Sequence, residues 1–249
     1  MRVYSHQYKL TLRGGMNFDM NYLVVVAHPD DEVLGAGASI YKLAKEGNSI
    51  SICILSGEVT ARKARPELED LVSDMNLAAE LLGIKKIIRG TYPNIEFNTV
   101  PHLSLVQFIE NAIVETNAEI VITHHPIDLN NDHYHTSIAC QAAVRLFQRR
   151  PEISPLKELL FMEILSATEW GLNSSMTQFS PNTFIEVGED GVNKKIEALQ
   201  QYRGVMREYP HPRSMEAIKG LAAYRGSQSG YCYAEAFESV FRREDFRRE

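Results

Sequence analysis

VVVAHPDDEVLGAGASI, Val24 to Ile40, sets an apolar run against a histidine, three consecutive acids and a segment of small residues. From Tyr22 to Ala27 the run is continuous and rich in β-branched residues, which predicts a strand covered on both faces. Val33–Glu46 then carries a helical pattern that stops at Gly47, a residue suited to the left-handed end of a helix. The charges of Asp30, Asp31 and Glu32 therefore fall in a strand-to-helix turn, where the helix N-terminus favours carboxylates. One or two acids there would serve as caps. Three acids behind His28 exceed that need, because His28 has no capping task.

Downstream the alternation continues. Ser49–Leu55 reads as a second strand, Pro66–Leu82 as a helix with proline in its first turn and Gly83 after it, and Ile84–Ile88 as a third strand. Leu103–Glu115 is an amphipathic helix, Glu119–Thr123 a fourth strand and Tyr134–Gln148 a further helix. Such β-α alternation predicts an α/β fold, a Rossmann-like three-layer α/β/α arrangement with a mostly parallel sheet. Later, Leu159–Ile164 and Thr183–Val187 read as strands and Lys194–Met206 as a helix, with a polar loop near Leu172–Pro181. No internal repeat or low-complexity linker divides the chain, so a single domain is expected over residues 1–249, with residues 1–20 an N-terminal extension and Met16 or Met20 an alternative start.

Composition limits the function classes. A chain of 249 residues, 44% of them hydrophobic, can bury one sizeable core. The net charge is −6 and the basic residues are scattered apart from the C-terminal FRREDFRRE, which argues against a nucleic-acid surface. Cys53, Cys140 and Cys232 form no CxxC pair, which fits a reducing compartment, and the first two lie in apolar segments that read as core. No apolar stretch is long enough to span a bilayer, and MRVYSHQYKLTLRGGMNFDM lacks the apolar centre of a signal peptide. A cytoplasmic location is expected, and the sequence is compatible with a homo-oligomer.

In an open parallel sheet the working residues gather beyond the carboxyl ends of the strands. HPDDE, SGE, TYPN and HHPIDLNNDH occupy those positions after the first four strands and should converge on one edge. His28 and Asp31, three residues apart across the turn, can offer an imidazole nitrogen and a carboxylate oxygen to one cation. A catalytic zinc site usually has three protein ligands and an open position, and the second cluster supplies candidates for the third: Asp132, His133 and His135, with His124 and His125 upstream. Gly35 and Gly37 precede no phosphate-loop pattern and read as close helix-to-sheet packing. Arg62, Arg65 and Arg225 suit either an anionic ligand or solvated surface, and Tyr92, Trp170 and Tyr231 either a sugar face or the core. His102, His135 and His211 read as structural or surface residues.

AHPDDEVLGAG followed in order by HHPIDLNNDH resembles the PIG-L/LmbE-type metal-dependent deacetylases, with a weaker likeness in the tail YRGSQSGYCYAEAFE. The resemblance covers about Asn21 to Phe237. It implies removal of an N-acetyl group from an N-acetylglucosamine-type sugar or glycoconjugate, with Zn²⁺ or another divalent transition metal bound by His28, Asp31 and His133. Asp30 would be the general base towards a metal-activated water. Many members carry histidine three residues before the last ligand, where this chain has Asn130. Either Asn130 donates a hydrogen bond to the oxyanion or His124 or His125 takes that part, and Asp132 either orients a ligand histidine or holds its loop. Two other readings compete: an amidase for thiol conjugates on the same fold, and a non-catalytic nucleotide-binding module, which would leave the His/Asp clusters without a task.

Overall fold

The computed structural model describes residues 19–57, 67–172 and 178–244. Strands β1 (Asn21–Val26), β2 (Ser49–Ile54), β3 (Lys86–Arg89), β4 (Ile120–His124), β5 (Glu158–Met162), β6 (Thr183–Glu186) and β7 (Ala234–Arg242) form one sheet in the order β3-β2-β1-β4-β5-β7-β6. β1 lies parallel between β2 and β4, with Val24 opposite both Ile52 and Ile122, and the β2–β3 and β4–β5 pairs are also parallel. β7, inserted between β5 and β6, runs antiparallel to both. The expected mostly parallel α/β sheet is therefore present.

Helices cover both faces, which is why the central strands β1 and β4 are almost wholly apolar instead of alternating with polar residues. Val24 and Val26 of β1 face one core with α1 (Asp31–Lys45), α2 (Leu68–Leu82), α5 (Gly188–Gln201) and α6 (Met215–Ser229). Leu23 and Val25 face the other, with α3 (His102–Thr116), α4 (Asn131–Ala143) and both Cys53 and Cys140. At Gly35 an added Cβ would collide with Met162 and Ile164, so α1 lies on the sheet as closely as only glycine allows. Its other flank is gripped from the C-terminal strand. Glu235 of β7 accepts the N–H groups of Ala38 and Ser39 at 3.2 and 2.7 Å and pairs with buried Lys195 of α5 at 2.6 Å.

Four elements of the later part of the chain differ from their sequence reading. The helix expected over Tyr134–Gln148 starts at Asn131 and stops at Ala143, followed by a separate 3-10 turn at Leu146–Gln148. Its start is set by a cap, since the Asn130 side chain accepts from the Asp132 N–H, whereas the apolar periodicity begins only at Tyr134. α5 lies earlier than the expected Lys194–Met206 because Glu189 and Asp190 open its first turn. Neither α6 nor β7 was legible as an element. Arg62, Arg65, Pro66, most of the N-terminal extension and the middle of the Leu172–Pro181 loop lie outside the described residues. Among the described residues no helix is long and apolar enough to cross a membrane.

Candidate metal centre and its cavity

β1 and β4 are neighbours and end side by side, so the turns that follow them meet. His28 lies in the β1–α1 turn, Asp31 opens α1, and His133 sits in the first turn of α4. Asp31 Oδ2 is the hub: it accepts the His28 backbone N–H at 3.0 Å and lies 3.3 Å from His28 Nδ1 and 3.1 Å from His133 Nε2. One ligand atom from each of the three residues falls within 4.8 Å of the others, all buried, a donor set and spacing that fit a single transition-metal ion.

Each histidine is backed by a carboxylate on its far side. His28 Nε2 is 2.9 Å from Asp132 Oδ2, which places the proton on Nε2 and leaves Nδ1 facing Asp31. Asp132 is itself fixed by the N–H groups of Ile95 at 2.6 Å and Phe97 at 3.0 Å. His133 Nδ1 lies 3.0 Å from Asp128 Oδ2, and Asp128 Oδ2 also accepts the Thr168 hydroxyl at 3.0 Å. Neither His133 nitrogen is aligned as a hydrogen-bond donor to a partner among the described residues, although both are buried. With Nδ1 facing the Asp128 carboxylate, Nε2 is the nitrogen placed to offer a lone pair to a cation shared with Asp31.

The electrostatics agree. Burial alone would raise the Asp31 carboxyl, but the imidazoles of His133, His28 and His124 hold it well below the usual carboxylate range. Burial likewise opposes a charge on His133, yet Asp31 and Asp128 push it up to about 10. The space between Asp31 and His133 thus demands positive charge, which a proton or a divalent cation supplies. A second trio of potential ligands, His124, Asp128 and His133, does not make a further site. The rings of His124 and His133 stack at 3.9 Å and 17°, so their lone pairs lie in separate, nearly parallel planes and cannot converge on one ion.

The remaining acids of the opening motif divide their tasks. Asp30 is left-handed at φ 99°, faces the cavity, and has Arg213 Nη1 3.4 Å from its Oδ2. Glu32 points into the protein behind it, where burial pushes its carboxyl up to about 8. Its Oε2 accepts the Asp30 backbone N–H at 3.2 Å and its Oε1 accepts the Tyr202 hydroxyl at 2.5 Å. The third acid therefore braces the strained backbone of the first. This answers the excess of charge in the turn.

A cavity of about 320 Å³ opens above His28, Asp30, Asp31 and His133, the size of a small-molecule site. Asn130 is on its wall, with Oδ1 committed to the Asp132 N–H at 2.9 Å. His124 is fully buried with Nε2 accepting from the Ala27 N–H, and His125 is turned towards Glu238 at 3.3 Å; neither lines the cavity. Trp170 is on the rim and 43% exposed, whereas Tyr92 packs edge-on against Phe97 and Phe108. Arg225 is tied to Glu163 by a two-pronged ion pair. His211, read from sequence as structural or surface, lines the cavity together with Arg207 and Arg213. Asn94, Asp128, Tyr202 and Arg213 had no assigned part in the sequence reading. Asp128 lies inside DLNNDH and Asn94 inside TYPN, so the motifs located them; Tyr202 and Arg213 come from a region without any local signature.

The family model described as GlcNAc-PI de-N-acetylase, PIG-L, matches residues 23–144. A 1D-myo-inositol 2-acetamido-2-deoxy-alpha-D-glucopyranoside deacetylase from Nocardioides sp. is 41% identical over 59 residues, 24% of this chain and 20% of that relative's length. The uncharacterized deacetylase YaiS of Escherichia coli K12 is 26% identical over 189 residues, covering 73% of this chain and 89% of the relative. In structure, the conserved protein TT1542 from Thermus thermophilus superposes with a TM-score of 0.73 at 25% identity, covering 91% of this chain and 97% of the other. The family match runs from β1 through the end of α4, just under half of the chain, and within that span the chain resembles the PIG-L deacetylases and carries all three residues of the His28, Asp31 and His133 cluster.

Proposed function

We propose that the protein is a metal-dependent amidohydrolase that removes the acetyl group from an N-acetylglucosamine-type sugar or glycoconjugate. The convergence of His28, Asp31 and His133 at the floor of a small-molecule cavity carries this reading. Those three residues would hold the ion, and zinc suits their nitrogen and oxygen donors. Bound there, such an ion supplies a Lewis acid for the amide carbonyl and lowers the pKa of a coordinated water towards neutrality.

The chain's own residues do the rest. Asp30, one residue from a ligand and facing the cavity, takes the proton of the attacking water and passes it to the departing amine nitrogen. Arg213, 3.4 Å from Asp30 Oδ2, keeps that carboxylate aimed. Asn130 has its Oδ1 engaged as a cap, which leaves Nδ2 to donate to the oxyanion. Asp132 orients His28, and Asp128 orients His133.

The test is acetate release by metal-loaded protein from a panel of N-acetylglucosamine derivatives, run beside thiol-conjugate amides and a nucleotide-binding assay. Acetate release from the sugars is the expected result. Cleavage confined to the thiol conjugates, or nucleotide binding without hydrolysis, would replace the proposal.

A further inference from the structure

The loop that follows β5 carries Thr168, which is buried. Its Oγ1 accepts the Ile164 N–H at 2.7 Å and lies 3.0 Å from Asp128 Oδ2. A hydroxyl has one proton to give. Because the Ile164 N–H is itself a donor, that proton goes to Asp128. The carboxylate is held at its other end too, where Oδ1 accepts the Asn130 N–H at 3.1 Å. Oδ2, the oxygen that Thr168 holds, is also the one 3.0 Å from His133 Nδ1. Two further contacts already join these loops. The Leu129 N–H donates to the Ala167 carbonyl at 3.2 Å, and a Cβ added at Gly171 would stand 2.4 Å from the Ile127 carbonyl oxygen. Holding the loops together therefore does not by itself call for a hydroxyl on the carboxylate oxygen that faces His133.

We propose that Thr168 is a positioning residue of the metal site: its hydroxyl fixes the Asp128 carboxylate, which holds the His133 ring with Nε2 towards Asp31. This rests on the metal-dependent deacetylase reading given above. With donors from Thr168 and Asn130 upon it, Asp128 stays the acceptor that His133 Nδ1 faces, and the lone pair of Nε2 is kept for the ion. Without the hydroxyl the carboxylate keeps one fixed end and turns about it, and the ring loses its register with Asp31. The same loop reaches the cavity, because Ser166, Ala167 and Trp170 line its wall. Thr168 thus links that wall to the metal ligands through Asp128.

The experiment compares full-length wild type, Thr168→Val, which keeps the shape and removes the hydroxyl, and Thr168→Ser, which keeps the hydroxyl. Affinities for Co²⁺ and Zn²⁺ are measured by competition with a chelator, and the visible absorption of the Co²⁺-saturated proteins is recorded. Thr168→Val should bind both ions about tenfold more weakly, with shifted Co²⁺ bands, whereas Thr168→Ser should match wild type in both. In an Asp128→Asn background the loss caused by Thr168→Val should shrink, because Asp128 carries the effect. Wild-type affinity and absorption in Thr168→Val overturn the proposal, whatever its melting temperature. An equal loss in Thr168→Ser assigns the effect to packing, and an undiminished loss in the Asp128→Asn background removes Asp128 as the link; either ends the proposal. If Thr168→Val does not fold, Thr168→Ala takes its place in every comparison. If wild type binds neither ion, the metal reading and this proposal fall together. If it binds them but releases no acetate from N-acetylglucosamine derivatives, the deacetylase reading fails alone, and the affinities still decide the part of Thr168.

Discussion

Asp30 and Glu32 are two residues apart and chemically alike, yet one faces the cavity and the other a buried tyrosine. Environment, not residue type, separates their work. Asp30→Asn should retain the metal, because Asp30 is not among the clustered ligands, while turnover falls by about 10²-fold or more, the lower range for a general acid–base group. Metal analysis beside steady-state kinetics checks it, and near-normal turnover would remove Asp30 from the mechanism. Tyr202→Phe probes the brace. It leaves Glu32 Oε1 without its donor, so stability should drop by about 1–3 kcal/mol, and kcat should fall with little change in KM because Asp30 loses its support. Chemical denaturation and a kcat-against-KM comparison on one preparation measure both effects. Of these residues only Asp30 was assigned a task from sequence; the purpose of Glu32 is set by Tyr202, which lies 170 positions away and can be paired with it only in the fold.

Among the elements, α4 ties folding to the site most directly. Asn130 caps it, and the residues of its first turn include Asp132 and His133. Asn130→Ala should cost about 1 kcal/mol through the lost cap, whereas Asn130→Ser should keep most of that stability. If Nδ2 also serves the oxyanion, Asn130→Ala and Asn130→Ser should both lose about 10²-fold in the chemical step with metal content intact, while Asn130→His restores much of the rate. Normal turnover by folded Asn130→Ser would leave Asn130 as a cap alone. The elements from β1 to β4 are clear in the sequence because β1, β2 and β4 are buried on both faces and α1, α2 and α3 are followed by Gly47, Gly83 and Asn117. β7 is obscure for a physical reason: its first half is buried and its second half is at the surface, so AEAFESVFR carries neither a continuous apolar run nor a clean alternation. α6 is hidden in the same way, with only Ile218, Ala222 and Gly226 buried along its length.

At the scale of the whole molecule, the proposed metal site would make ion binding and folding one equilibrium. The proposed ligands come from two turns that are 102 positions apart at their nearest members, Asp31 and His133, and meet only when β1 and β4 pair. A divalent ion that binds the native cluster and not the unfolded chain should raise stability by about 2.7 kcal/mol at a hundredfold excess over its Kd. Chelation should therefore lower the melting temperature of wild type, and in His133→Ala both the bound ion and this dependence should disappear. A variant that keeps about one ion per chain would displace His133 from the ligand set. The clustering of His28, Asp31 and His133 is legible in the sequence since they lie within two compact motifs at strand ends. The cavity wall is not, because Arg207, His211 and Arg213 reach the site from the α5–α6 connection, where no spacing rule points to it.

Glu235 has a consequence for how the protein comes into being on the ribosome. The strand that carries it follows every other described element in chain order, yet it is threaded between β5 and β6 and clasps the first helix through the N–H groups of Ala38 and Ser39. Within the described sheet β6 has no other strand to join, so it must wait for β7. A nascent chain can assemble β1 to β5 as it emerges, but the clasp on α1 closes only after Glu235 has left the exit tunnel. The helix whose first residue, Asp31, joins His28 and His133 is thus clasped by Glu235 only after every other described element has been made.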